Sequence, residues 1–328
     1  MIRACFFLLA VLIASPAGAA GFQYGTAPDP DDKPIELGIW YPSDAPTSSQ
    51  ALGLFKQDVA LYGAVAGPSL PLIVISHGTG GGASSHYDTA IALANAGFVV
   101  VAPSHTGDNY KDRSYSFNRR SFTSRAQQVA HIIDFMLNGW GGHDHLDPAR
   151  IGVFGHSAGG ATALIALGGT PEMDRTVQHC KDHPEAWDCL QIKLKAGNPP
   201  SGPKEEPKWT HDPRLKAAAI AAPAIGYAFT TEGLAPVTAP VQLWRAEDDR
   251  ITTNVLNADI VKARLPKPPE DHLVAKAGHF AFLAPCSEAL AAIAKEICTD
   301  TAGFDRAAFH QELNQALIAF FKTQFASP

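Results

Sequence analysis

No internal segment of this 328-residue chain approaches the ~20 uninterrupted apolar residues that a bilayer-spanning helix needs. No Lys/Arg cluster is present and the net charge is −6, which argues against nucleic acid or an anionic surface as partner. Cys-x-x-Cys is missing, and the spacings of the five cysteines do not suggest zinc. The Gly-rich run His77-Gly78-Thr79-Gly80-Gly81-Gly82 lacks the Lys and Ser/Thr ending of a phosphate loop, and its glycines have the wrong spacing for a dinucleotide fingerprint. No internal repeat or low-complexity tract is visible. These absences leave no call for a metal, a cofactor or a nucleic acid. What remains is a chain with 46% hydrophobic content, enough for one well-buried core.

The N-terminus has the pattern of an export signal over residues 1–19. Arg3 supplies the positive start, residues 6–13 are apolar, and Ser15-Pro16-Ala17-Gly18-Ala19 ends in small-x-small. The apolar run is too short to span a bilayer, so cleavage after Ala19 or Ala20 is expected, giving a periplasmic or secreted protein with no stable membrane insertion. Cys5 would leave with this segment. The four remaining cysteines lie in two close pairs, and an oxidising compartment permits the bridges Cys180–Cys189 and Cys286–Cys298.

Beyond the signal, residues 20–328 read as a single α/β domain. Leu70–Ser76, 98–102 and 150–154 are short continuous apolar runs, the pattern of strands buried on both faces. Further strands are expected at 35–41, 216–222, Val241–Ala246 and 272–276, and helices at 84–96, 121–137, 290–297 and 307–321. Strands alternating with helices imply a mostly parallel sheet covered on both sides. Residues 45–67 are poorly periodic and read as irregular. The stretch 170–213, with the Cys180/Cys189 pair, breaks the rhythm and reads as an insertion beside the active-site edge.

Chemistry concentrates at Gly155-His156-Ser157-Ala158-Gly159, between the apolar run 150–154 and an Ala/Leu-rich helix. Small residues two before and two after Ser157 permit a tight turn that holds its hydroxyl above the sheet edge. A serine hydroxyl needs a base within reach and an acid to orient that base. Placing loops after strands yields both, in the order Ser157, Asp249, His279. Asp249 is preferred to Asp248 because it is followed by one residue and then the apolar Ile251. For a developing oxyanion, one N–H comes from Ala158 and a second from Thr79, with Gly80 as alternative. His77, His156 and Gly80 flank this site as candidate substrate contacts, and Asp108 and Arg113 lie in a loop that could face it. His143-Asp144-His145 sits in a Gly-rich loop and reads as solvated rather than metal-binding.

With these residues in place the chain resembles the α/β-hydrolase superfamily. More narrowly, it resembles bacterial predicted dienelactone hydrolases, which are similar to platelet-activating-factor acetylhydrolases. The resemblance runs from Ile35 to the C-terminus. It rests on Ile39-Trp40-Tyr41-Pro42, Ser76-His77-Gly78-Thr79-Gly80, Val101-Ala102-Pro103-Ser104-His105, Gly155-His156-Ser157-Ala158-Gly159-Gly160 and Gly278-His279-Phe280-Ala281-Phe282-Leu283. True dienelactone hydrolases use a cysteine where this chain has Ser157, so a dienelactone substrate does not carry over. The resemblance implies a serine esterase acting on small-molecule or lipid-like esters. Short acyl groups are favoured because no long apolar lid helix is evident. Trp187, Trp209, Tyr227 and Phe229 are candidate walls for an apolar group. The competing readings are a peptidase or amidase with the same triad, a lipid or polyester hydrolase, and an exported binding protein without catalysis.

Overall fold

The computed structural model describes residues 19–196 and 208–326. Apart from Ala19, the expected export segment lies outside these residues, as do Cys5 and positions 197–207 of the insertion.

Among the described residues ten strands form one sheet: β1 (Ala19–Ala27), β2 (Ile35–Ser43), β3 (Ser48–Leu52), β4 (Phe55–Leu61), β5 (Leu70–Ser76), β6 (Val99–Ser104), β7 (Leu146–His156), β8 (Leu215–Ala221), β9 (Val241–Ala246) and β10 (Glu270–Val274). Their order is β10-β9-β8-β7-β5-β6-β2-β1-β4-β3. The six from β10 to β6 run parallel, and β2 pairs antiparallel with β6. This is the α/β-hydrolase fold.

The apolar runs are continuous because both sheet faces are covered and successive side chains feed opposite cores. In β5, Leu72 and Val74 join one cluster while Ile73 and Ile75 join the other. In β6, Val99 and Val101 part from Val100 and Ala102 in the same way. The first core is closed by α2 (Arg119–Asn138) and α3 (Ala158–Ala166), through residues such as Val129, Ile132, Met136 and Leu164. The second is closed by α1 (Tyr87–Asn95) and by the C-terminal helix Arg306–Ala326, through Leu93, Leu313, Leu317 and Phe321.

Three segments depart from expectation. Residues 45–67 are not irregular: β3 and β4 form an antiparallel hairpin, and β4 pairs with β1. Between Phe55 and Val59, one inward position of β4 is the buried polar Gln57, whose Oε1 accepts from Trp40 Nε1 at 2.9 Å, so the apolar alternation is interrupted. β1 begins at Ala19, where the sequence reading expects no strand. The helix expected over 290–297 is broken at Ala294 into Glu288–Ile293 and Lys295–Cys298.

The insertion carries α4 (Arg175–Asp182) and α5 (Trp187–Ala196), joined by the Cys180–Cys189 disulfide. The second disulfide links Cys286 and Cys298. Both pairings match the sequence expectation. Among the described residues no helix is long and apolar enough to cross a membrane.

Candidate active site

Parallel strands present their C-terminal ends on one edge, and the loops leaving that edge share a crevice. Ser157 follows β7, Asp249 follows β9, His279 follows β10, and Thr79 follows β5. Ser157 has φ +56° and ψ −118°, a backbone conformation an L residue adopts only under strain. The strain is imposed by packing. A Cβ on Gly155 would lie 2.1 Å from the Gly159 carbonyl oxygen, and one on Gly159 would lie 1.8 Å from that of Ser76. Strand, turn and helix therefore approach as closely as glycine allows, and the hydroxyl is pushed outward.

His279 Nε2 stands 3.0 Å from Ser157 Oγ, and His279 Nδ1 stands 2.8 Å from Asp249 Oδ2. All three residues are buried, with Ser157 8% exposed. Asp249 is itself oriented: Oδ1 accepts the Ile251 and Thr252 amides, each at 2.8 Å, and Oδ2 accepts the Thr252 hydroxyl at 3.0 Å. Burial alone would raise the Asp249 pKa. The facing imidazole and these hydrogen bonds outweigh it and hold the carboxyl below its ordinary value. Asp248, by contrast, is exposed.

Thr79 and Ala158 both line the cavity beside Ser157. Among the described residues, neither amide donates to a protein acceptor in any turn or loop. Both N–H groups are thus left without a protein acceptor, the Ala158 one at the N-terminus of α3.

Three buried histidines brace the His279 segment. His156 Nε2 meets the carbonyl oxygen of His279 at 3.1 Å, His310 Nε2 that of Ala281 at 2.9 Å, and His86 Nδ1 that of Phe282 at 3.0 Å. A carbonyl only accepts, so each of these ring nitrogens carries the proton. Two further histidines lie under the Gly-rich loop. His77 Nε2 accepts the His105 amide at 3.1 Å, so its Nδ1–H donates to the Gly78 carbonyl at 2.6 Å. His105 Nδ1 donates to Gln128 Oε1 at 2.8 Å, and its Nε2 accepts the Ser76 hydroxyl at 2.8 Å.

Above Ser157 opens a largely apolar cavity of about 630 Å³, within the range of small-molecule sites. Phe117 and Phe122 form one wall, and Val177, Trp187 and Ile192 come from the insertion. The sequence expectations divide here. Gly80 and His156 line the cavity, whereas His77 does not, being fully buried behind the loop. Trp187 and Tyr227 are walls. Trp209 packs on the core and Phe229 lies within it, because the bridge Pro171↔Phe229 draws that segment under the insertion. Asp108 is buried against Arg125 rather than facing the cavity, and exposed Arg113 lies over Gly80 outside it. Thr252, His86 and His310 carried no sequence signal, since their partners are fixed only by packing.

Residues 59–196 match the model of the dienelactone hydrolase family. No curated protein matches the chain.

Proposed function

Proceeding from a hydrolase of the α/β-hydrolase type, we propose that this chain cleaves carboxylic esters through an acyl-enzyme on Ser157. The observation that carries this reading is the chain of contacts from Ser157 Oγ through His279 to Asp249, opening on an apolar cavity. His279 Nε2 takes the hydroxyl proton as Oγ bonds to the ester carbon. Asp249 holds Nδ1–H and stabilises the imidazolium, and the Thr79 and Ala158 amides receive the oxyanion. The C–O bond then breaks, the departing alkoxide takes the proton from His279, and water repeats the sequence to release the acid. The protein is proposed to be one hydrolase domain over 20–328, exported after cleavage at Ala19 or Ala20. The two disulfides support an oxidising compartment.

The cavity is larger than a short acyl group requires. We assign its excess to the alcohol side, so that the substrate joins a short acyl group to a bulky apolar alcohol. With alkyl acetates from ethyl to decyl, whose leaving groups are chemically matched, kcat/KM is expected to rise by about fourfold at most per methylene until the cavity is filled. Ile192→Trp should end that rise at a shorter alcohol. A flat series would remove the cavity from substrate selection. The class of reaction is tested with p-nitrophenyl esters from acetate to palmitate, alongside Ser157→Ala. Ser157-dependent release supports the esterase. Phosphonate labelling of Ser157 without ester turnover points to an amide substrate, and no labelling to a binding protein.

Cys286–Cys298 lies just beyond the His279 segment, and Ile297 beside it reaches the cavity. Mild reduction is expected to lower activity before the far-ultraviolet dichroism changes. Parallel loss of the two would refute a local role for this bridge.

A further inference from the structure

Behind the loop after β5 lies an ion pair shut away from water. Arg125 on α2 and Asp108 have side chains 0% and 1% exposed, with Arg125 Nη2 2.8 Å from Asp108 Oδ2. A buried pair is a poor source of stability, because removing two charges from water offsets their attraction. What else the pair holds is therefore informative.

Arg125 Nε also donates to Asp108 Oδ2, at 2.9 Å, and Nη2 to the Asp108 carbonyl at 3.2 Å. The guanidinium's further bonds go to two consecutive carbonyls of the Gly-rich loop: Nη1 to His77 at 2.6 Å and Nη2 to Gly78 at 3.3 Å. On the other side, Asp108 accepts the hydroxyls of Ser116, of Ser121 at 2.9 Å and of Thr79 at 3.4 Å. The pair thus clamps the His77–Thr79 backbone to α2 and the loop before it.

Geometry then dictates a consequence. In a trans peptide the C=O and the following N–H point in opposite directions. The Gly78–Thr79 peptide is trans, so a Gly78 carbonyl drawn back toward Arg125 turns the Thr79 N–H forward. Forward is the cavity, which Thr79 lines, and Ser157 is close: a Cβ on Gly78 would lie 3.2 Å from Ser157 Cβ. A cation on the carbonyl also polarises the amide and makes its N–H a stronger donor. His77 Nδ1–H and the Gly81 amide donate to the same oxygen, at 2.6 and 3.1 Å.

We propose that Arg125, held by Asp108, is a positioning residue that aims the Thr79 N–H at the oxyanion. The proposal rests on the ester-hydrolase reading above. Lysine at 125 can keep a charge beside Asp108 but cannot reach both carbonyls in a fixed fork. Arg125→Lys is expected to lower kcat per active site about 10- to 100-fold, somewhat less than loss of a whole oxyanion donor. KM should change by less than about threefold, because the interaction strengthens only as charge develops. Affinity for a trifluoromethyl ketone matched to the ester, a tetrahedral mimic, should fall by the same factor as kcat.

Active sites are counted by the phosphonate burst, which separates this role from simple loss of fold. A variant with fewer active sites but unchanged kcat per site would overturn the proposal, as would unchanged ketone affinity. If Arg125→Lys does not fold, Asp108→Asn, which removes the charge and keeps the shape, should show the same division between kcat and KM. Equal kcat in that variant would overturn the proposal too. Failure of the underlying reading looks different: the wild-type protein itself would show no Ser157-dependent ester turnover.

Discussion

Ser157→Ala is expected to lower ester turnover by roughly 10⁴- to 10⁶-fold while leaving the fold intact. The size follows from the arrangement of the site. His279 Nε2 stands 3.0 Å from Oγ, and removing the hydroxyl removes both the atom that bonds to the ester carbon and the proton that His279 takes. Residual rate would come from the oxyanion donors and substrate binding alone. Stability should be nearly unchanged, since alanine must occupy the same φ of +56°. Ser157→Gly, equally inactive, is expected to be more stable by about 1 kcal/mol because glycine accepts that conformation freely. Retention of more than about a tenth of the activity in the alanine variant would remove Ser157 from the role of nucleophile.

Acidification is expected to destabilise the protein steeply below pH 6.5. His77, His86, His105 and His156 are fully enclosed, and burial, which penalises the imidazolium, lowers the pKa of each from 6.5. His86 is lowered to about 4 and His77 to about 3. Above pH 6.5 these rings are neutral in both folded and unfolded chains, so the contribution is constant. Between 6.5 and the lowered values only the unfolded chain binds the protons, so stability falls as pH falls. Each histidine contributes a slope of about 1.4 kcal/mol per pH unit, and four together approach about 5. A typical stability of about 5–15 kcal/mol would be exhausted within a few pH units. Urea midpoints from pH 8 to pH 4 measure this directly. A flat profile over that range would show that the four rings are not held neutral.

How far the sequence discloses this protein depends on the range of the interactions. β5, β6 and β7 were legible because double-sided burial writes an unbroken apolar run into seven or fewer residues of each. Ser157, Asp249 and His279 were legible as a group because loops after parallel strands converge on one edge and their chain order fits that of α/β-hydrolases. The β3–β4 hairpin was not, since a buried polar Gln57 paired with Trp40 takes the place of an apolar residue. Nor were the supports of the site. The His86 bond to Phe282 crosses 196 residues and Arg125 reaches back 48 to His77, and nothing local marks either pair. His77 shows the same limit from the other direction. Adjacent in sequence to the site, it is turned away from the cavity by its bonds to His105 and Gly78.

The proposed reacting groups and part of the cavity wall come from different stretches of chain. Ser157, Asp249 and His279 ride on the sheet, whereas Val177, Trp187 and Ile192 belong to two helices stapled to each other by Cys180–Cys189. That division gives the molecule a modular inheritance. Under the proposed ester hydrolysis, substitutions in the stapled helices are expected to change which alcohol is admitted without disturbing proton transfer. A library confined to the facing side chains of these two helices would sample substrate range with little risk to turnover.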